Sequence, residues 1–350
     1  MRFWAGRRVL VTGHTGFKGA WLAFWLAELG AEVSGLALPH LSGLNLHDIL
    51  GTAERGRFVQ ADINDRAALE ALFAEARPEV VIHMAAQSLV RPSYEAPVET
   101  FATNLLGTVS LLDAVRRCPE VRSVVVVTTD KVYENREWPW GYREGDTLGG
   151  HDPYSASKCC AEIAVASLRR SFFGPGRHPA RIATARAGNV IGGGDWSVDR
   201  LVPDIVRGCL GEAGVVHLRN PDSVRPWQHV LEPLHAYLTL AERLCTSPTG
   251  IDEAWNIGPD GSENRPVRDV AHALVAALGR GRVEIASEAG ALHEARLLNL
   301  DCAKARAVLD WRPKFDFATC VEMTAMWYAA WARGEDMRAI TRAQIAGITA

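Results

Sequence analysis

A doubly wound α/β fold with a parallel central sheet is what this sequence predicts, and three observations carry the prediction. Short apolar runs rich in β-branched residues recur along the first half, among them RVLVT at 8–12, EVVIHMAA at 79–86 and SVVVVTT at 123–129. Continuous runs of that kind suit strands buried on both faces, as in parallel sheets. Helix-length segments such as 17–29 and 66–76 separate them, so strand and helix alternate as βαβ units require. Glycines punctuate the first crossover with the spacing G-x-x-G-x-x-G, at Gly13, Gly16 and Gly19.

A chain of 350 residues is long for one core, and about two domains of ~150 residues are expected. The pattern changes at about residue 190, where short helices mix with loops rich in Arg, Pro and Trp; 232–245 and WNIG at 255–258 return to the sheet pattern. The division that follows is 1–189 plus 230–259 for the dinucleotide-binding domain. A smaller, mixed substrate domain takes 190–229 plus 260–350. With 48% hydrophobic and 23% charged residues, the composition is that of an ordinary globular protein. A net charge of -3 gives no reason to expect a nucleic acid or an anionic membrane as partner. Seven cysteines without a C-x-x-C pair read as reduced thiols in a cytoplasm, with no metal site expected; Cys159 and Cys160 read as packing residues. The first residues lack the long apolar stretch of a secretory signal. The apolar run at 20–31 includes Glu28 and is too short to span a bilayer, so it reads as a buried helix.

In chain order, the strand at 8–12 runs into the glycine loop and a helix from about Phe17, closed by Gly30. The glycines permit a tight turn, close approach of backbone to a pyrophosphate, and close packing of helix on strand. The helix N-terminus offers free N–H groups to the anion. This is a Rossmann-type unit, with His14 and Lys18 inside the loop and able to face a phosphate; Lys18 can equally be a solvated surface lysine. The second strand runs out at Ala37, Leu38, Pro39 and His40, without the acid that often holds an adenosine ribose. No arginine stands nearby for a 2′-phosphate, so this position leaves NAD and NADP open. The strand at 57–62 ends at Asp62 and Ile63, where a carboxylate can reach an adenine amino group. Asp65 suits a helix N-cap. Ala85 and Ala86 end the next strand and are small enough for a flat cofactor to approach. An amphipathic segment at 97–117 carries Asn104 and Gly107.

The strand at 123–129 delivers Thr128 and Thr129 to the carboxyl edge, where ligands bind in open α/β sheets. A helix over 152–173, with Asp152 and Pro153 in its first turn, carries Tyr154 and Lys158. That spacing sets both on one face, one turn apart. An ammonium beside a phenol favours the phenolate, which lets the phenol act as a base below its ordinary pKa of ~10.

With these motifs the chain resembles the extended short-chain dehydrogenase/reductase (NAD-dependent epimerase/dehydratase) superfamily, and within it the branch that dehydrates CDP-glucose. The matching residues are GHTGFKGAWL at 13–22, HMAAQSLVRPSY at 83–94, TTDKVYENREWPWGYRE at 128–144 and GGHDPYSASK at 149–158. RAGNVIGGGDW at 186–196 and RNPDSVRPWQHVLEPL at 219–234 continue the match. The resemblance implies NAD as cofactor and a nucleotide sugar, CDP-glucose favoured, as substrate. It implies oxidation at carbon 4, elimination of water across carbons 5 and 6, and return of the hydride to carbon 6. Tyr154 would be the base for the 4-hydroxyl, aided by Lys158, with Thr129 hydrogen-bonding the same hydroxyl. Asp130 would protonate the departing 6-hydroxyl, which asks for a pKa raised by burial. Lys131 stands where related dehydratases carry a glutamate. It can take the carbon 5 proton if neutral, or stabilise the enolate if charged. Gln87, Asn189, Arg200, Arg219, Arg225 and His229 are the expected substrate-pocket residues. Trp138, Trp140 and Trp196 either stack on sugar or base or pack in the core. A homodimer or homotetramer built on the helices at 97–117 and 152–173 is also implied. The alternatives are a dehydratase or 4-epimerase for another nucleotide sugar, and a non-enzymatic NAD(P) sensor, which would have no use for Thr129, Tyr154 and Lys158 together.

Overall fold

The computed structural model describes residues 2–39, 43–218, 220–247, 250–285 and 297–349. Its centre is a sheet of seven strands: β1 (Arg8–Thr12), β2 (Glu32–Ala37), β3 (Gly56–Gln60), β4 (Val80–His83), β5 (Ser123–Val127), β6 (Arg181–Ala187) and β7 (Ala254–Ile257). They lie in the order β7-β6-β5-β4-β1-β2-β3, and every pairing is parallel. The chain fills one side of β1 with β2 and β3, then crosses to the other side with β4. A crevice opens beyond the carboxyl ends at that reversal, where doubly wound sheets bind ligands.

The strand sequences are apolar throughout because both faces are covered. Along β1, Val9 and Val11 join one core cluster and Leu10 the other; along β5, Val125 and Val127 face the first, Val124 and Val126 the second. The first layer contains helix α1 (Phe17–Glu28), whose residues from Gly19 to Leu26 are all buried. Trp21 and Trp25 anchor it, each fully buried; truncating such a side chain costs ~3–5 kcal/mol. The second layer holds α2 (Arg66–Ala76), α3 (Gly107–Arg116) and α4 (Pro153–Phe172). The caps read from sequence are in place. Asp65 accepts from the Ala68 amide at 3.0 Å, and Asp152 from the Ser155 amide at 2.9 Å.

One element differs from expectation. The segment at 97–117 is not one helix: an α turn at Pro97–Phe101 leads into a π turn at Ala102–Leu106 before α3 begins at Gly107. A side chain at Gly107 would meet Ile63, its Cβ 2.5 Å from Ile63 Cγ2, so the chain approaches β3's exit closely there.

Beyond β6, helices α5 (Leu201–Leu210), α6 (Leu231–Thr246), α7 (Val267–Leu278), α8 (Phe317–Ala332) and α9 (Met337–Thr349) alternate with short strand pairs. Val224–Pro226 pairs antiparallel with Asn264–Pro266, and Val215–Leu218 parallel with Arg282–Ile285. Trp327 and Tyr328 of α8 and Leu274 of α7 join the same core cluster as Trp21 of α1. All seven cysteines are free, and no described helix is long and apolar enough to cross a membrane.

Candidate active site

A cleft of about 1390 Å³ lies along the carboxyl edge of the sheet. Its lining includes Gly13 and Asp62 from the first half, Asp130 and Tyr154 from the second, and Asn189 and Arg225 from the segment after β6.

The glycine loop is built for close approach. Gly13 has φ +75°, and a Cβ there would lie 2.7 Å from the Ala85 amide nitrogen; a Cβ on Gly19 would sit 2.0 Å from the Gly13 carbonyl oxygen. The turn is closed by Gly13 N–H to Leu36 O at 2.8 Å and Gly16 N–H to Gly13 O at 3.1 Å. No side chain caps the start of α1, which leaves its first amides for an anion. Phe17, Asp62, Ile63, Ala85 and Ala86 all line the cleft. Lys18 is no solvated surface lysine. It faces the cleft with Nζ 5.9 Å from the Tyr237 ring centroid. Burial and then Arg200 draw its pKa down to about 8, with Asp130 pulling the other way.

At the end of β5, Thr128 and Thr129 lead into a single helical turn, Asp130–Val132. Asp130 is 1% exposed. Its Oδ1 accepts from Thr129 Oγ1 at 3.1 Å and lies 4.0 Å from Lys131 Nζ, while its buried Oδ2 has no protein partner. Tyr154 and Lys158 share one face of α4, as the spacing predicts, and both line the cleft. Burial is the largest influence on the phenol. Burial raises the Tyr154 pKa above the usual phenol value; a hydrogen bond from Thr129 and the charge of Arg200 oppose it, and Asp130 and Asp152 add to it. Lys158 donates to the Val127 carbonyl at 3.1 Å. Its pKa falls to about 7 through burial and then Lys18, against Glu162.

Four expected site residues stand elsewhere. His14 is buried against Phe58 and His47, ring centroids 4.4 and 5.1 Å away, and does not line the cleft. Burial and then His47 hold its pKa down at about 3. Asn104 is a structural tie: its amide donates to Gln87 O and Ser157 Oγ, and its Oδ1 accepts from Gln87 N–H. Gln87 is used up on Leu89 and Thr100. His229 is fully buried between Trp21 and Phe315, and burial lowers its pKa to about 3. In each case the residue type suggested a ligand, and the side chain is turned to protein partners and out of the cleft lining. Asn189, Arg200 and Arg225 do line the cleft; Arg219 falls outside the described residues. None of the three tryptophans lines the cleft. Trp196 lies against Tyr328 and Trp331, Trp138 stacks on Tyr142, and Trp140 beside it is exposed.

Sequence reasoning overlooked Arg91 and Arg136, which line the cleft, and the buried pair Glu162 and Arg186 directly behind it. Glu162 was accessible to the same helical period, one turn past Lys158.

The family model described as GDP-mannose 4,6 dehydratase matches residues 10–324. The chain belongs to the GDP-mannose 4,6 dehydratase family. It is 46% identical over 346 residues to the CDP-glucose 4,6-dehydratase of Salmonella typhimurium, covering 98% of this chain and 96% of that one. It is 32% identical to a dTDP-glucose 4,6-dehydratase of Streptomyces antibioticus, over 91% of this chain and 92% of the relative. Among solved structures, the dTDP-glucose 4,6-dehydratase of Bacillus anthracis in complex with NAD superposes with a TM-score of 0.77 at 23% identity, covering 94% of this chain and 97% of that one; it shares the fold. Membership of the GDP-mannose 4,6 dehydratase family agrees with the doubly wound sheet and with a cleft at its carboxyl edge.

Proposed function

We propose that this protein is a CDP-glucose 4,6-dehydratase, converting CDP-D-glucose to CDP-4-dehydro-6-deoxy-D-glucose and water. The observation that carries the reading is the placement of Asp130 and Lys131 directly after Thr129, in one cleft with Tyr154 and Lys158. An epimerase needs only the oxidising group; an acid with an unpartnered buried oxygen beside it is what elimination needs. The similarity to the Salmonella relative supports CDP over other nucleotides. Purified protein supplied in turn with CDP-, dTDP-, GDP- and UDP-glucose should form an alkali-sensitive 4-keto-6-deoxy product fastest from CDP-glucose. A 4-epimer as product, or a faster reaction with another nucleotide, would overturn the reading.

The residues present fit NAD. Gly13 and Gly19 leave no room for a Cβ, the amides of α1 lack a side-chain cap, and Ala85 and Ala86 keep the crevice floor shallow. NAD held there would supply the hydride acceptor for oxidation at carbon 4 and, once reduced, the donor for carbon 6. Tyr154 takes the proton of the 4-hydroxyl, and Thr129 orients that hydroxyl by hydrogen bonding. The ketone at carbon 4 makes the carbon 5 hydrogen acidic. Asp130 delivers a proton to the departing 6-hydroxyl. Lys131 serves the carbon 5 step, as a base when neutral or as a partner of the enolate when charged; Lys131→Met with its pH profile separates the two. Lys18 and the first amides of α1 would hold the cofactor's phosphates, and Asp62 its adenine end. Arg200 and Arg225 take the substrate's diphosphate, for which a planar guanidinium is suited.

The same reading gives 1–189 plus 230–259 to the cofactor and 190–229 plus 260–350 to the nucleotide sugar. It also gives a cytoplasmic homodimer or homotetramer, built where Val98, Leu106 and Ile163 stand exposed on 97–117 and α4. Ile163→Arg should lower the mass measured by light scattering.

A further inference from the structure

Behind the cleft, Glu162 and Arg186 form an ion pair in which both side chains are 4% exposed. Glu162 lies on α4 in the stripe that carries Tyr154 and Lys158, at i+8 and i+4. Its carboxylate accepts four hydrogen bonds: from Thr128 Oγ1 at 2.6 Å, Thr184 Oγ1 at 2.7 Å, and Arg186 Nε and Nη2 at 3.0 Å each. Arg186 has a further nitrogen, Nη1, which donates to the Tyr133 hydroxyl at 2.8 Å and the Glu144 carbonyl at 3.1 Å. The Tyr133 hydroxyl passes its own proton to Asn256 Oδ1 at 2.6 Å, and its ring stacks on Tyr142 at 5.1 Å.

Thr128 and Tyr133 bracket residues 129–132, the turn that presents Thr129, Asp130 and Lys131. One end of that turn is bonded to the carboxylate and the other to the guanidinium. We infer that the Glu162–Arg186 pair is a positioning clamp, which fixes the catalytic turn at both ends relative to Tyr154 and Lys158 on α4. A bidentate fork transmits direction as well as charge, and a carboxylate that accepts four hydrogen bonds beside a guanidinium that donates four has little slack. Burial opposes the charge on Arg186, and the Glu162 carboxylate outweighs it, raising its pKa. Arg186 therefore stays charged while Tyr133, raised by burial, stays a neutral phenol.

A buried ion pair is a poor source of stability, since replacing both members by neutral groups is often harmless while removing one strands a charge. That asymmetry supplies the test, which rests on the proposed dehydratase activity for its kinetic arm only. Glu162→Gln strands Arg186 and should lower both melting temperature and kcat. The double variant Glu162→Gln/Arg186→Gln should regain most of the melting temperature. Its kcat on CDP-glucose should stay about 10- to 100-fold down, with KM within about threefold. Tyr133→Phe, which cuts the guanidinium end together with the bond to Asn256 and leaves the carboxylate end intact, should lower kcat by about 3- to 10-fold without moving KM. In the substrate-free protein, amide hydrogen exchange at 129–133 should quicken by about tenfold in the double variant, with 124–126 unchanged. Wild-type protein that leaves CDP-glucose untouched would sink the dehydratase reading and leave the exchange arm standing. A double variant with wild-type exchange at 129–133, or with wild-type kcat, would sink the clamp, as would kcat that merely follows melting temperature across the set.

Discussion

Thr129, Tyr154 and Lys158, the residues assigned to oxidation, are held by the fold itself. Tyr154 and Lys158 ride one face of α4, Lys158 is tied to the Val127 carbonyl, and Thr129 stands at the end of β5 with its hydroxyl donating to Asp130. Asp130 and Lys131, assigned to elimination, sit on the clamped turn with bonding capacity to spare at their side chains. One oxygen of Asp130 lacks a protein partner, and Lys131, its side chain 29% exposed, approaches the other only to 4.0 Å. The difference teaches where specificity of reaction resides. Proton transfer at carbon 4 draws on a preorganised frame, whereas elimination uses two side chains whose remaining bonds are available to substrate.

The largest effect that probes this comparison is expected from Tyr154→Phe. Without the phenol's proton transfer kcat should fall by roughly 10²–10⁴-fold, and no deuterium should leave carbon 4 of labelled CDP-glucose. Asp130→Asn should lower product formation by about 10²-fold yet leave hydride removal from carbon 4 measurable, by the absorbance of reduced nicotinamide in a single turnover. Equal loss of both steps would mean that the two sets of residues do not act separately. Arg225→Ala should raise KM for CDP-glucose by about tenfold with a smaller change in kcat, read from steady-state kinetics.

A gentler probe is acid. His14, His83 and His229 are buried, and burial first of all lowers each pKa from 6.5 to about 3. Between those values the unfolded chain binds protons that the native state refuses, so stability is full above pH 6.5 and falls as pH drops toward 3. The slope is ~1.4 kcal/mol per pH unit for each histidine. Melting temperature should decline on acidification below pH 6.5, and His83→Gln should flatten the decline; the ring bonds Thr12 and Thr108, and the glutamine amide can bond both.

How much was legible in the sequence follows from what periodicity records. The all-parallel sheet was readable because both faces of each strand are apolar, and the Tyr154–Lys158 face because helical spacing is local. Gly13 and Gly19 announced their crowding through the absence of a side chain. Direction of side chains was not readable. His14 and Lys18 sit four residues apart in the same loop, and one turns into the core while the other enters the cleft. Asn104 and Gln87 bond each other, a pairing that depends on the π turn at Ala102–Leu106. Glu162 lay on the legible stripe, but its partners Thr184 and Arg186 come from a strand whose register only the folded sheet defines.

The account's central claim is that hydride leaves carbon 4 and returns within the same molecule to carbon 6. CDP-glucose carrying deuterium at carbon 4, turned over to completion by the purified protein and read by NMR, tests it directly. Deuterium in the product's carbon 6 methyl group is the expected result. Deuterium lost to solvent, or retained at carbon 4 of an epimer, would contradict it.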